Sequence, residues 1–125
     1  MYSAAMNAYN QYRTTSVQTA NPSKLLLMLY DGLILFLKKG KQAIESGNLG
    51  EAHVHLINAQ DIVTELMSTL KTDYEISQNL FQIYDYWKWC LVEANIKKDV
   101  KIVDEVLPLI EELRDVWAEA AGVQE

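Results

Sequence analysis

Residues 21–40, which read NPSKLLLMLYDGLILFLKKG, restrict the fold more than any other stretch. Residues 25–30 and 33–37 are consecutively apolar or aromatic, so a helix here is apolar nearly all the way round. A helix in a water-soluble protein normally keeps one apolar stripe and one polar face. Residues 25–37 would span roughly 20 Å as a helix, whereas a bilayer core is about 30 Å thick. Protein, rather than lipid, must therefore cover the second face.

The composition predicts one compact domain and excludes several classes of partner. The chain has 125 residues, 50% of them hydrophobic, which is enough for a sizeable core. Its net charge of -6 argues against nucleic acid and anionic membrane surfaces, because both need a basic patch. With one cysteine there is no intramolecular disulfide, and the polar N-terminus does not resemble a signal peptide. We expect no nucleic-acid partner and no stable membrane insertion.

Capping and turn residues divide the sequence into four predicted helices. Asn21-Pro22 and Asp99 are typical helix starts, while Gly47-Asn48 and Gly122 are typical helix ends. The predicted helices cover about 22–46, 49–71, 74–97 (or from 77) and 99–121. Pro108 lies inside the fourth, where we expect a bend rather than a break.

Short connections between these helices predict an antiparallel up-down four-helix bundle, an all-α fold, over residues 21–125. Residues 1–20 are predicted to form an N-terminal arm or short helix that packs across the bundle. The seam of helix three is predicted at the following positions: Ile76, Leu80, Ile83, Trp87, Cys90 or Leu91, and Ala94.

All four helices carry more apolar residues than one bundle seam requires. Wide seams with a few tolerated surface residues explain part of this excess. A groove that receives amphipathic helices of a partner is the alternative. The aromatic stretch FQIYDYWKWC at residues 81–90 favours the groove, because Tyr and Trp dominate interface hot spots.

The sequence lacks the residue patterns of an enzyme or a metal site. His53 and His55 are two residues apart on one helix and point in nearly opposite directions, and no Glu-x-x-His pair is present. Cys90 has no basic neighbour that would activate it and is predicted to be a small buried hydrophobe. Asp31 and Asp85 interrupt apolar runs, and we expect each to bond a tyrosine or a helix N-terminus. We expect neither enzymatic activity nor a cofactor or metal.

Five motifs in order carry a resemblance to a known family. They are NPSKLLLMLYDG, INAQDIVTEL, NLFQIYDYW, VEANIKKD and VLPLIEELRDVW. The chain resembles the flagellar export chaperone FliS family, the chaperones of flagellin, from Tyr9 to Trp117. Single motifs such as YDG are weak, but five in the same order are strong.

The resemblance implies a function that residue patterns alone do not specify. Family members work in the bacterial cytosol and bind the disordered C-terminal segment of monomeric flagellin in apolar grooves. They prevent premature polymerisation and deliver flagellin to the flagellar type III export apparatus, so the implied partners include an export-gate component and flagellar assembly regulators. We expect a monomer or weak homodimer. A homo-oligomeric structural bundle without a client and a helical-bundle metalloenzyme are the alternatives.

Four residues on helices two and three are predicted to border the client groove: Ile57, Ile62, Leu80 and Tyr84. Positions beside a bundle seam stay half exposed, where a client helix can insert its own apolar residues. Core membership is the competing interpretation, most of all for Leu80. Asn95 is predicted to hydrogen-bond the client backbone near the far end of the groove.

The N-terminal arm is predicted to cover the bundle where helix one is apolar. Met6, Tyr9 and Tyr12 recur every three residues and would share one side of a short helix. The resemblance links the tyrosine at the position of Tyr9 to covering the client groove and docking at the export gate. Gly32 is predicted to permit close approach of a neighbouring helix or of this arm, which would offset its low helix propensity.

Overall fold

The computed structural model describes residues 22–71 and 73–122, and these form four α-helices joined by short connections. The helices are α1 (Pro22–Glu45), α2 (Leu49–Ser68), α3 (Glu75–Lys97) and α4 (Val100–Ala121). The described residues contain no strand, and the predicted all-α class with four helices is confirmed. Met6, Tyr9 and Tyr12 lie outside the described residues, so the predictions for the arm stay predictions.

Capping residues set the helix boundaries. The side chain of Asn48 accepts a hydrogen bond from the backbone N–H of Glu51 and begins α2. Asp99 does the same for the N–H of Lys101, at 2.9 Å, and begins α4. Each bond satisfies a backbone donor that has no partner inside its own helix. The left-handed backbone of Gly122 then ends α4.

The four helices form a closed ring in which each contacts two neighbours. α1 packs on α2 and α4, and α3 also packs on α2 and α4. Because the connections at 46–48, 69–74 and 98–99 are short, consecutive helices run antiparallel. The tight connection after α3 includes Lys98, a non-glycine residue in the left-handed region at φ 49°.

Two neighbouring helices cover most of the apolar circumference of α1. Its buried residues point to both neighbours and are Leu25, Leu27, Leu29, Tyr30, Leu33, Phe36, Leu37, Gly40 and Ala43. Gly40 is a point of close approach, since a Cβ built there would lie 3.1 Å from the Leu56 side chain of α2. Gly32 is partly buried, and its predicted role stays a prediction.

An ion pair joins α1 to α4. The guanidinium of buried Arg114 donates from Nε to the carboxylate of Asp31 at 2.9 Å. The predicted partners of Asp31, a tyrosine or a helix N-terminus, are therefore wrong, and Asp85 is exposed. Pro108 does not break α4, which continues on both sides of it.

The seam predicted for α3 is wrong at two positions. Ile76 and Ile83 are exposed, while Ser77 and Tyr84 are buried in their place. The reason lies in the core, where the Tyr84 hydroxyl hydrogen-bonds the hydroxyl of Tyr30 on α1 at 2.9 Å. This bond lets Tyr84 place its hydroxyl in the core, while Trp87, Leu91 and Ala94 are buried as predicted.

Candidate functional site

An apolar groove of about 630 Å³ lies between α3 and α4, the neighbouring pair of helices that packs least closely. We call it the α3/α4 groove. Its walls and floor are formed by nine residues: Asn79, Gln82, Ile83, Tyr86, Trp87, Leu109, Glu112, Leu113 and Val116.

Helical spacing places the apolar walls opposite each other. On α4, Leu109, Leu113 and Val116 are spaced by four and three residues, so they share one face. On α3, Ile83 and Tyr86 are three residues apart. Leu109 is 46% exposed and Ile83 is 39% exposed, although both are apolar. Contiguous exposed apolar surface of this kind marks an interaction site.

The floor of the groove is Trp87, which is only 2% exposed. Its ring meets that of Tyr30 edge-on at 6.1 Å and that of Tyr84 at 5.4 Å. Trp117 Nε1 donates a hydrogen bond to the Tyr30 hydroxyl at 3.1 Å, next to the bond between the two tyrosines. The aromatic cluster therefore ties α1, α3 and α4 together directly beneath the groove.

Burial keeps the polar atoms of this cluster neutral. It raises the pKa of the Tyr30 hydroxyl, and the neighbouring Tyr84 raises it further. Burial also raises the pKa of the Tyr84 hydroxyl above its ordinary value. Both hydroxyls therefore stay protonated at neutral pH and are available as hydrogen-bond donors and acceptors.

Cys90, the only cysteine of the chain, follows the groove residue Tyr86 by one turn of α3 but does not line the groove. Burial raises the pKa of Cys90, and its hydrogen bond with the Tyr86 hydroxyl only partly opposes this shift. That hydrogen bond is also the main cause of the raised pKa of Tyr86. A thiol with a raised pKa is a poor nucleophile. The groove is thus equipped for binding rather than for covalent chemistry.

The structure shows neither a metal site nor a membrane span in the residues that it describes. No group of three or more His, Cys, Asp or Glu side chains in residues 22–71 and 73–122 could hold a metal ion. Within the same ranges, each helix is too short or too polar to cross a bilayer.

A second groove, of about 490 Å³, lies where the end of α2 meets the start of α3. It is lined by Met67, Leu70, Ser77, Gln78, Phe81 and Gln82. Gln82 lines both grooves. An extended or helical segment could therefore pass from one groove to the other by crossing α3 at Gln82.

The structure corrects the half-exposed placement predicted for two client-groove residues. Ile62 and Tyr84 are 2% and 1% exposed and belong to the core. Tyr84 is held there by its bond to Tyr30, and Ile62 by packing within the same core cluster. Leu80 is partly buried against the core, and Ile57 is partly buried. These four residues do not line either groove described above.

Asn95 is also buried, and its side chain is already hydrogen-bonded. Its Oδ1 accepts from Lys98 Nζ at 2.7 Å, and its Nδ2 lies 3.0 Å from His53 Nδ1. A client backbone would have to displace one of these bonds. The predicted role of Asn95 stays a prediction.

The sequence analysis did not place the groove between α3 and α4. It assigned Ile83 to the seam of helix three. The apolar residues beyond the seams included Tyr86, Leu109 and Val116, which were not assigned to a groove. The seven-residue spacing of Leu109 and Val116 was the available signal. It indicates a second apolar line on α4 beside the buried one.

Comparison with known proteins gives a consistent result. The family described as "Flagellar protein FliS" matches residues 5–124. The flagellar secretion chaperone FliS of Bacillus subtilis (strain 168) is 40% identical, with 94% of this chain and 88% of that protein covered. The flagellar secretion chaperone FliS of Salmonella typhimurium is 32% identical, with 94% and 90% covered.

A solved structure supports the fold. The "Crystal structure of flagellar chaperone from bacteria" superposes with a TM-score of 0.76 at 23% identity, and the match covers 92% of this chain and 95% of that one. Together, the match over residues 5–124 and the relatives above 30% identity show that this chain belongs to the FliS family of flagellar secretion chaperones, which are not enzymes.

Proposed function

We propose that this chain is a cytosolic export chaperone for flagellin. It binds the disordered C-terminal segment of monomeric flagellin, prevents premature polymerisation and delivers the client to the flagellar type III export apparatus. The observation that carries the proposal is the α3/α4 groove, which leaves Leu109 and Ile83 exposed in a protein with an otherwise well-formed core.

The groove matches the needs of such a client. A segment that later packs against neighbouring subunits has an apolar face, and that face is sticky while it is uncovered. A groove between two helices buries such a face when the segment folds as an amphipathic helix. The rigid floor at Trp87 favours binding, because the groove loses little conformational freedom when it is filled.

Affinity is limited by the cost of ordering the segment. A disordered client loses conformational entropy when it folds onto the chaperone, so a large contact area gives only moderate affinity. Moderate affinity suits a client that must be released for secretion. The second groove, which meets the first at Gln82, extends the contact around α3.

The remaining predicted site residues are part of this proposal. Ile57 and Asn95 would contact a client that reaches the α2 side of α3. Met6, Tyr9 and Tyr12 would cover the client groove when it is empty and dock at the export gate when it is filled. Assembly regulators would be further partners.

The proposal is tested by measuring the affinity of a synthetic flagellin C-terminal peptide for groove variants. Leu109→Ala and Val116→Ala should each weaken binding by about 1–2 kcal/mol, roughly 5- to 30-fold, with an almost unchanged melting temperature. Leu35→Ala is the matched control, because Leu35 is similarly exposed but lies on α1. The control should bind like the wild type.

Two results would contradict the proposal. One is wild-type affinity in the double variant of Leu109 and Val116. The other is a stable homo-oligomer in dilute solution that buries the groove and does not dissociate when the peptide is added. The peptide-binding assay measures the affinity, and sedimentation or light scattering measures the mass with and without the peptide.

A further inference from the structure

The α4 wall of the groove carries a regular row of carboxylates. Glu105, Glu112 and Glu119 are spaced by seven residues, and all three are exposed. Seven residues are nearly two helical turns, so the three side chains share one edge of α4, about 10 Å apart. We call them the carboxylate row.

The row lies along the groove. Glu112 is one of the groove-lining residues. Glu105 precedes Leu109, the first lining residue of α4, by one turn and so lies beside one end of the groove. Glu119 follows Val116, the last lining residue of α4, by one turn.

Carboxylates on the other edge of α4 have basic partners, whereas those of the row have none among the described residues. The paired ones are Asp104 with Lys41 at 2.7 Å, Glu111 with Lys38 at 3.7 Å, and Asp115 with Arg114 at 3.7 Å. In residues 22–71 and 73–122, no basic side chain lies within 4 Å of a carboxylate of the row. α1 therefore neutralises one edge of α4, while the edge beside the groove keeps its charge.

The opposite wall does not compensate. Apart from Glu112, every residue that lines the groove is uncharged, and α3 contributes the amides of Asn79 and Gln82. Arg114, two residues from Glu112, is buried and bonds Asp31 and Asp115. Lys101, one turn before Glu105, lies beyond the lining residues. An apolar groove with one anionic edge is complementary to a helix that has an apolar face and one cationic edge.

We infer that the α3/α4 groove selects an amphipathic client helix that carries Lys or Arg at seven-residue spacing along the edge facing α4. This inference rests on the proposed function and specifies the chemistry of its client. The client helix lies lengthwise in the groove between α3 and α4. Its apolar residues lie over Trp87, and its basic residues lie against the carboxylate row. The row gives the client one preferred rotation in the groove and repels segments with acidic flanks.

The test uses two synthetic peptides with the same apolar face. One has Lys and the other has Glu at three positions spaced by seven on a single flank. The wild-type chain should bind the Lys peptide about tenfold or more tightly at low salt, because three attractive charge pairs replace three repulsive ones. The difference should shrink as the salt concentration rises.

The decisive variant is the triple substitution Glu105→Gln, Glu112→Gln and Glu119→Gln. It should bind the two peptides with nearly equal affinity. The matched control removes three exposed carboxylates elsewhere, Glu45→Gln, Asp61→Asn and Asp85→Asn, and so has the same net charge. The control should keep most of the wild-type preference, since its substitutions lie outside the groove.

The outcomes separate the inference from the proposed function. If the wild type does not prefer the Lys peptide, or if the triple variant and the control lose the preference equally, the inference is overturned. If Leu109→Ala at the same time weakens binding of the flagellin peptide, the proposed function stands without it. Circular dichroism confirms that each variant is folded. If the triple variant is unfolded, Glu112→Gln alone replaces it, and about a twofold loss of preference is then expected.

Discussion

The substitution Tyr84→Phe tests most sharply whether Tyr84 belongs to the core or borders the client groove. The change removes one oxygen atom and keeps the ring that packs against Trp87. In the folded chain that oxygen lies 2.9 Å from the Tyr30 hydroxyl, at a site that is 1% exposed. The sequence analysis placed Tyr84 at a half-exposed groove border, where loss of the hydroxyl would hardly affect stability.

The expected cost follows from the polar atoms left behind. Tyr30 still accepts the hydrogen bond from Trp117 Nε1, but its hydroxyl loses the bond to Tyr84, in which either hydroxyl can be the donor. An unsatisfied buried donor costs about 1–3 kcal/mol. Tyr84→Ala should cost more, about 3–5 kcal/mol, because it also leaves a cavity beside Trp87.

Urea denaturation measures this effect. With a slope of about 1–3 kcal/mol/M for a chain of this size, Tyr84→Phe should lower the midpoint by about 1 M without changing the slope. The double variant Tyr30→Phe, Tyr84→Phe should be less destabilised than the sum of the single variants, because it removes both hydroxyls. Affinity for the flagellin peptide should stay close to the wild-type value.

Two results would refute this reasoning. One is a change in unfolding free energy below about 0.5 kcal/mol, which is the usual size for surface substitutions. The other is a loss of peptide affinity at unchanged stability, which would return Tyr84 to the client groove.

Four further predictions concern two glycines, a helix cap and the pH dependence of stability. Gly40→Ala should destabilise the chain by about 1 kcal/mol, because the new Cβ meets fully buried Leu56 at 3.1 Å. Gly50→Ala, with nothing within 4 Å of the new Cβ, should stabilise by up to about 1 kcal/mol in the same thermal melt. Asn48→Ala should cost about 1 kcal/mol in urea denaturation, because α2 loses its N-cap. The unfolding free energy should fall above about pH 10, because Tyr30 and Tyr84 then ionise in the unfolded chain but stay protonated in the folded one. An unfolding free energy that does not change between pH 8 and 11 would contradict the raised pKa of these tyrosines.

Helix boundaries were predictable because their signals are local. Asn48 and Asp99 bond backbone groups two or three residues away, and Gly122 takes a conformation that few other residues adopt. No information from distant parts of the chain is needed to recognise them. The predicted helices accordingly agree with the structure to within three residues at each end.

The rotation of α3 was not predictable in the same way. Its sequence is apolar or aromatic on several faces, so periodicity alone allowed Ile83 or Tyr84 in the core. In the structure Tyr84 is the buried one, and its hydroxyl bonds that of Tyr30, 54 residues away in the sequence. The α3/α4 groove was missed for the same reason, because Ile83 lies on its wall only when Tyr84 points into the core.

The ring of helix contacts has a consequence for synthesis of the chain on the ribosome. α1 packs on α2, its neighbour in sequence, and also on α4, the last helix to be made. Between the end of α1 and the start of α4 the ribosome must add residues 46–99, which takes several seconds at roughly 5–20 residues per second. During that interval the α4-facing side of α1 lacks the contacts that α4 later supplies. α1 is therefore itself exposed to aggregation until α4 has been made, and slower elongation before α4 should lower the yield of folded protein.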